Sequence, residues 1–277
     1  MTCPHLLPDT RPGEYHASVL KRVLRFLRYA LIVVLLLLAV LVVIGYTRRV
    51  PISTNTPQSD NADLVAQLLS AKRVLFISAH PDDIEFYCAG LVHTLRKRGA
   101  EVTFAIGTRG GKGRQGAAKA RLEGLRSRHQ LDSARILGGA EVVFYDYPDK
   151  DLPSHVDEFA ADLKRLVAQG KPDVVLSWDP DFIYNPHLDH QAAAKAARIA
   201  TDALGSKVCC YGTREPNLWF GFEEDVFQVK LRSIRAHRTE VPWFFYPFAR
   251  RFLTKKDIGE GAKIGSRYAE VYRCVDW

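Results

Sequence analysis

Cysteine is scarce in this chain of 277 residues: Cys3, Cys88, Cys209, Cys210 and Cys274 stand at irregular intervals. That spacing resembles neither a disulfide framework nor a Cys-x-x-Cys zinc site, so cysteine chemistry is not expected at the core of the function. Cys209 and Cys210 are adjacent in an apparent strand, face opposite sides of it, and read as small core residues. No internal repeat is present. Acidic residues are in deficit, 31 against 39 basic, giving a formal net charge of +8. This balance suits an anionic partner such as lipid headgroups or a phosphorylated substrate. Part of it flanks a single apolar segment, however, and it makes no case for nucleic acid. The hydrophobic share of 47% and charged share of 25% are globular values. One α/β domain of about 200 residues with an extension accounts for the length.

Long hydrophobic runs are limited to one, Ala30 to Gly45, in which every residue is apolar or glycine. With Tyr29 and Tyr46 as interfacial ends it reaches the roughly 17 residues needed to cross a bilayer core. The long leader and the absence of a small-x-small site after Gly45 disfavour a cleaved signal peptide. Lys21, Arg22, Arg25 and Arg28 precede the run, against Arg48 and Arg49 after it. Positive charge tends to remain in the cytoplasm, which places the rest of the chain on the extracytoplasmic side. The organisation read from sequence is a basic segment over 1–28, a transmembrane anchor over 29–46, a linker over 47–71 and a catalytic domain over 72–277. The stretch Pro51 to Asn61, rich in Pro, Ser, Thr and Asn, carries the linker reading.

Beyond residue 72 strand and helix patterns alternate. Arg73–Ala79, Val102–Ile106, Val142–Tyr145, Asp173–Trp178 and Lys207–Tyr211 are short apolar or β-branched runs. Asp83–Arg98, 117–137, 155–168 and 189–204 have helical spacing, and Gly99 stands where a helix C-cap is expected. This rhythm predicts an α/β, Rossmann-like domain: a mainly parallel sheet with helices on both faces. Ligands of such sheets bind beyond the carboxyl ends of the strands. The turn His80-Pro-Asp-Asp83, a glycine-rich loop and the run His187-Leu-Asp-His190 all follow strands, so three segments converge on one edge.

Catalytic zinc takes three His, Asp or Glu ligands and leaves a position for water. His80, Asp83 and His190 form such a set. Asp82 stands beside a ligand as candidate general base, His187 can donate to an oxyanion and leaving amine, and Asp189 can fix the tautomer of His187 or support the metal ligands. A lone Asp at a strand end would more simply cap the next helix; two clusters of ligand types at one edge favour the metal.

Ala79-His-Pro-Asp-Asp-Ile-Glu85 together with His187-Leu-Asp-His190 resembles the PIG-L/LmbE-like family of zinc-dependent N-acetyl deacetylases. The resemblance implies hydrolysis of an N-acetylglucosamine-type conjugate, which can be anionic or lipid-linked. It assigns zinc to His80, Asp83 and His190, the base to Asp82 and oxyanion stabilisation to His187. Two departures stand out. The family's Arg-x-x-Glu helix motif is here Arg126-Ser-Arg-His129, and a segment that more often ends Ser-Gln ends here His237-Arg-Thr-Glu240. In the loop Gly107 to Gly116 a Gly-x-Gly-x-x-Gly spacing is a weak dinucleotide signal. Arg109, Lys112 and Arg114, with Arg126 on the helix that follows, are candidate contacts for an anionic substrate group. Two other function classes compete. One is a membrane-anchored glycosyltransferase using Asp179-Pro-Asp181, which leaves the three histidines without roles. The other is a metal-stabilised carbohydrate-binding module without turnover, against which the presence of Asp82 counts. The aromatic stretch Trp243 to Phe248, followed by Arg250 and Arg251, suits a substrate groove, a membrane surface or packing equally.

Overall fold

The computed structural model describes residues 12–48, 52–112, 116–185, 187–202 and 207–275. The chain divides into two units, Met1–Val50 and Pro51–Trp277. In the first, α1 (Pro12–Arg48) is a single helix, and its segment Leu20–Leu41 is long and apolar enough to cross a membrane.

The second unit holds a seven-stranded sheet in the order β3-β2-β1-β4-β5-β7-β6. The elements follow in chain order: α2 (Asn61–Ser70), β1 (Arg73–Ser78), α3 (Asp83–Lys97), β2 (Glu101–Thr108), α4 (Gly116–Ile136), β3 (Glu141–Tyr147), α5 (Val156–Gly170), β4 (Val174–Trp178), α6 (Leu188–Asp202), β5 (Val208–Tyr211), β6 (Leu218–Phe222), α7 (Glu224–Ala236), α8 (Tyr246–Gly261) and β7 (Tyr268–Val275). The first five strands are parallel, and β7 runs antiparallel between β5 and β6. All of β4 and all but the first residue of β1 are buried, because helices cover both faces of a parallel centre. From β1 the chain winds outward through α3 and α4 to β3. It then crosses back through α5 to β4 on the other side of β1. Right-handed crossovers put these two excursions on opposite faces and open a crevice between the carboxyl ends of β1 and β4.

Two expectations are corrected. Cys209 and Cys274 form a disulfide, as register partners on β5 and β7. Their 65-residue separation hides a pairing that only the antiparallel return of β7 creates; Cys88 and Cys210 are free and buried. The 47–71 segment is more than a linker, since residues 61–70 are helix α2, with Leu68 fully buried. The polar residues before it bind the domain. Ser53 N–H and Oγ donate to Glu260, Asn55 Nδ2 donates to Glu215 and to Pro216 O, and Lys263 Nζ donates to Ser53 O at 2.6 Å and Asn55 O at 2.9 Å. Ile52 lies over Gly259, where any Cβ would collide with it. Composition suggested flexibility, but Ser, Thr and Asn side chains also make specific bonds.

Candidate metal centre

The turn after β1 carries the first half of the site. Asp82 has φ of 107°, in the left-handed region that non-glycine residues seldom occupy. Such strain costs on the order of 1–3 kcal/mol and persists only when neighbours enforce it. Here Gln130 Oε1 accepts the Asp82 N–H at 3.0 Å, and Arg126 Nη2 donates to Pro81 O at 2.9 Å. Asp83 opens α3, and its Oδ2 accepts the backbone N–H groups of Ala79 (3.1 Å) and His80 (2.9 Å) and the indole N–H of Trp178 (3.3 Å). Burial opposes ionisation of Asp83, but His190, His80 and these donors outweigh it and hold the carboxyl well below its usual range.

The second half arrives at the start of α6. His190 Nε2 lies 3.2 Å from His80 Nδ1 and 3.2 Å from Asp83 Oδ1, and His80 Nδ1 is 3.7 Å from Asp83 Oδ2. Ligand atoms around a tetrahedral zinc with bonds of about 2.0–2.1 Å stand roughly 3.3 Å apart, which is close to the separation of His190 Nε2 from His80 Nδ1 and from Asp83 Oδ1. The indole of Trp178 stacks on His190 with ring centroids 4.0 Å apart and fixes its plane. His80 Nε2 faces Asp189 Oδ2 at 3.0 Å and Asp149 Oδ1 at 3.2 Å. Burial works against a charge on His80, yet these two hydrogen bonds and the Asp83 charge raise its pKa to about 10. An imidazole driven so strongly to hold a proton marks a surplus of negative charge, which a divalent cation would neutralise. Other trios, His80–His187–His190 and His80–Asp149–Asp189, also bring ligand atoms together.

Asp189 was expected to serve His187 or the metal ligands. Its carboxylate lies against His80 and accepts the Lys150 N–H at 2.7 Å; only its backbone N–H meets His187, donating to Nδ1 at 3.2 Å. That bond leaves the proton of a neutral His187 on Nε2. Burial, reinforced by His80 and His190, lowers the His187 pKa below its ordinary 6.5, so the ring is neutral near pH 7. Asp149 escaped the sequence reading altogether. The available signal was an acidic residue just past β3, at the same sheet edge as the other clusters.

Asp82 is pushed up to about 7 by burial, an effect that Arg126 moderates and Asp83 reinforces. Arg126 is itself buried. Its Nε meets Glu240 at 3.0 Å, Nη1 donates to Gly110 O at 3.2 Å, and Nη2 lies 3.5 Å from Asp82 Oδ1. The guanidinium, expected as a substrate contact, is held here by these protein groups, packed where Gly110, at φ 67°, has no Cβ. The carboxylate missing from the Arg126-x-x-His129 pattern is thus supplied by Glu240. Behind Asp82, Glu85 accepts from Gln130 Nε2 and Ser133 Oγ, each at 2.7 Å, and its other oxygen is 3.5 Å from His237 Nε2.

Of the other candidate substrate contacts, Arg109 pairs with Asp146 and donates to Ser127 Oγ at 3.0 Å. Lys112 is exposed, while its backbone N–H holds Asp149; Arg114 falls outside the described residues. The Asp179-Pro-Asp181 alternative fails on charge. Arg273 donates to both oxygens of Asp179 at 2.7 Å and lies 3.0 Å from Asp181, whose other oxygen meets Arg198. Arginines occupy the positions a sugar-nucleotide metal would need.

The family profile described as PIG-L, GlcNAc-PI de-N-acetylase, matches residues 75–201. A diacetylchitobiose deacetylase of Thermococcus kodakarensis is 29% identical over 224 residues, covering 74% of this chain and 83% of that protein. A probable N-acetyl-α-D-glucosaminyl L-malate deacetylase 2 of Bacillus subtilis is 27% identical over 186 residues, 61% of this chain and 83% of that one. Among solved structures, the N,N'-diacetylchitobiose deacetylase of Pyrococcus horikoshii in complex with its inhibitor MPG superposes with a TM-score of 0.66. It is 27% identical and covers 80% of this chain and 94% of that one.

Proposed function

Because the chain belongs to the PIG-L family, we propose that it is a metal-dependent hydrolase that cleaves the amide C–N bond of an N-acetylglucosamine-type conjugate and releases acetate. The observation that carries this reading is the His80, Asp83 and His190 cluster with Asp82 on the same turn. Zinc held by His80, Asp83 and His190 would supply a Lewis acid for the acetyl carbonyl and bring the pKa of water near neutrality. Asp82 accepts the proton of the attacking water. A base tuned to about 7 by burial is matched to work near neutral pH. His187, neutral and carrying its proton on Nε2, donates a hydrogen bond to the oxygen that becomes negative. Asp149 and Asp189 grip Nε2 of His80 and leave Nδ1 turned toward the metal position.

The decisive experiment measures metal content and acetate release from N-acetylated sugars. Asp82→Asn should retain zinc and lose activity, whereas His80→Ala should lose the metal. Acetate release at the wild-type rate from Asp82→Asn would overturn the mechanism.

We infer further that α1 anchors the chain in a membrane, with the catalytic unit, residues 72–277, on the extracytoplasmic side. Four basic residues before the apolar run against two after it support the orientation. So does the Cys209–Cys274 disulfide, since such bonds persist mainly in oxidising compartments.

A further inference from the structure

The aromatic stretch after α7 takes no part in the metal centre. Trp178 and Trp219 are fully buried, yet Trp243 is 87% exposed, Phe244 61% and Phe245 41%. Three neighbouring aromatic side chains facing solvent form an apolar patch that a soluble surface rarely tolerates without a partner.

Helix α8 follows at once. One stripe of it, Ala249, Leu253, Lys256, Asp257 and Glu260, is buried, and the other, Pro247, Arg250, Arg251, Lys255 and Ile258, is exposed. Both acidic residues of the helix lie on the buried stripe. Asp257 is held by Lys230 at 2.8 Å, and Glu260 binds Ser53, Lys263 and the Trp219 indole. The outward stripe therefore carries three cations, no carboxylate, and apolar ends. Glu224 on α7 senses Arg250 but already lies 2.9 Å from Arg267.

The far end of α8 is where the docked segment attaches, with Ile52 seated on Gly259. Between Tyr46, the end of the apolar run, and Ile52 stand six residue steps, which reach about 20 Å at most. The helix from Tyr246 to Gly259 is itself about 20 Å long. A chain leaving the bilayer at Tyr46 thus tethers the Gly259 end of α8 to within about 20 Å of that point.

We propose that the exposed stripe of α8 and Trp243, Phe244 and Phe245 lie flat on the membrane that holds α1, with the aromatic rings in the interface and Arg250, Arg251 and Lys255 on anionic headgroups. The proposal rests on the reading of α1 as a membrane anchor. The pattern is that of an interfacial helix: aromatics at the acyl boundary and cations at the phosphates. It also places the site. Glu240, which holds Arg126 beside Asp82, precedes Trp243 by three residues, or about 10 Å of chain. The rim of the metal centre is then close to the headgroups.

The test uses the full chain carrying Trp277→Phe, reconstituted in anionic vesicles whose acyl chains are brominated. We expect bromolipid to quench a component of tryptophan fluorescence that iodide in the aqueous phase does not reach. That component should disappear with Trp243→Phe, and it should weaken in high salt and with Arg250→Glu, Arg251→Glu and Lys255→Glu combined. Iodide access to Trp243 without bromolipid quenching would overturn the proposal. So would protection from iodide without bromolipid quenching, because protein would then cover the patch. Alkaline carbonate extraction separates the two readings. A chain that stays in the membrane while Trp243 is unquenched keeps the anchor and loses the patch; a chain released by carbonate after bromolipid quenching does the reverse.

Discussion

His80 is contested by groups on three separate segments. Its Nδ1 faces Asp83 and His190, and its Nε2 faces Asp149 and Asp189. A carboxylate on the far nitrogen of a ligating histidine fixes the tautomer and the ring orientation, and its removal typically costs 10–100-fold in metal affinity. We expect Asp149→Asn to weaken zinc binding by about that factor, as competition with a chelator would measure. Sequence reached His80, Asp82, Asp83, His187 and His190 because they fall in two short runs of chemically distinctive residues. It did not reach Asp149, which stands alone after β3 among surface acids of the same type. Nor did it reach Glu240, whose partner Arg126 lies more than a hundred residues away. Pairings that only the fold creates leave no local mark.

At the scale of elements, α3, α7, α8 and β7 meet around one lysine. Lys230 Nζ lies 2.8 Å from Asp257 and 2.9 Å from Glu270, and all three are fully buried. Glu270 also accepts the N–H groups of Gly90 and Leu91 and the Tyr272 hydroxyl. Removing one member of a buried ionic group strands the others, at a cost of about 3–5 kcal/mol. Lys230→Met should destabilise the catalytic unit by that amount in denaturant unfolding, with partial recovery when Asp257 is also made apolar. A second pair ties the loop after β4 to β7. Burial would raise the Asp179 carboxyl above its ordinary 3.8, but the Arg273 fork, the Thr213 hydroxyl and two backbone amides bring it below. A depressed carboxyl contributes stability that is present above its unfolded value and is lost as pH falls through the native one. The stability gap between wild type and Arg273→Met should therefore be constant near neutrality and shrink below about pH 4, as urea midpoints across pH would show. The first five strands and their helices were legible because periodicity is strong where both faces are buried. The pieces after Tyr211 were not, since α8 and β7 mix aromatics with charges whose partners come from distant elements, and β6 is a five-residue aromatic run interrupted by Gly221.

For the whole molecule, the disulfide joins β5 to the last strand across 65 residues. Closing a loop of that length in the unfolded chain is worth about 2–4 kcal/mol, so reduction should lower the melting temperature of the full chain by several degrees. Cys274→Ser should show the same decrease, now insensitive to reductant. The position of β7 also bears on the order of events during synthesis. β7, the last of the seven described strands to be translated, fills an interior place in the sheet, between β5 and β6, and brings both Glu270 and Cys274. A ribosome emits α1 before any strand of the sheet and β7 after the other six. If α1 is the anchor proposed above, its insertion can begin long before the sheet is able to close, while Lys230 still lacks one of its carboxylates. A premature stop at position 268 would leave a sheet that cannot close, a substrate for quality control and not a weakened enzyme.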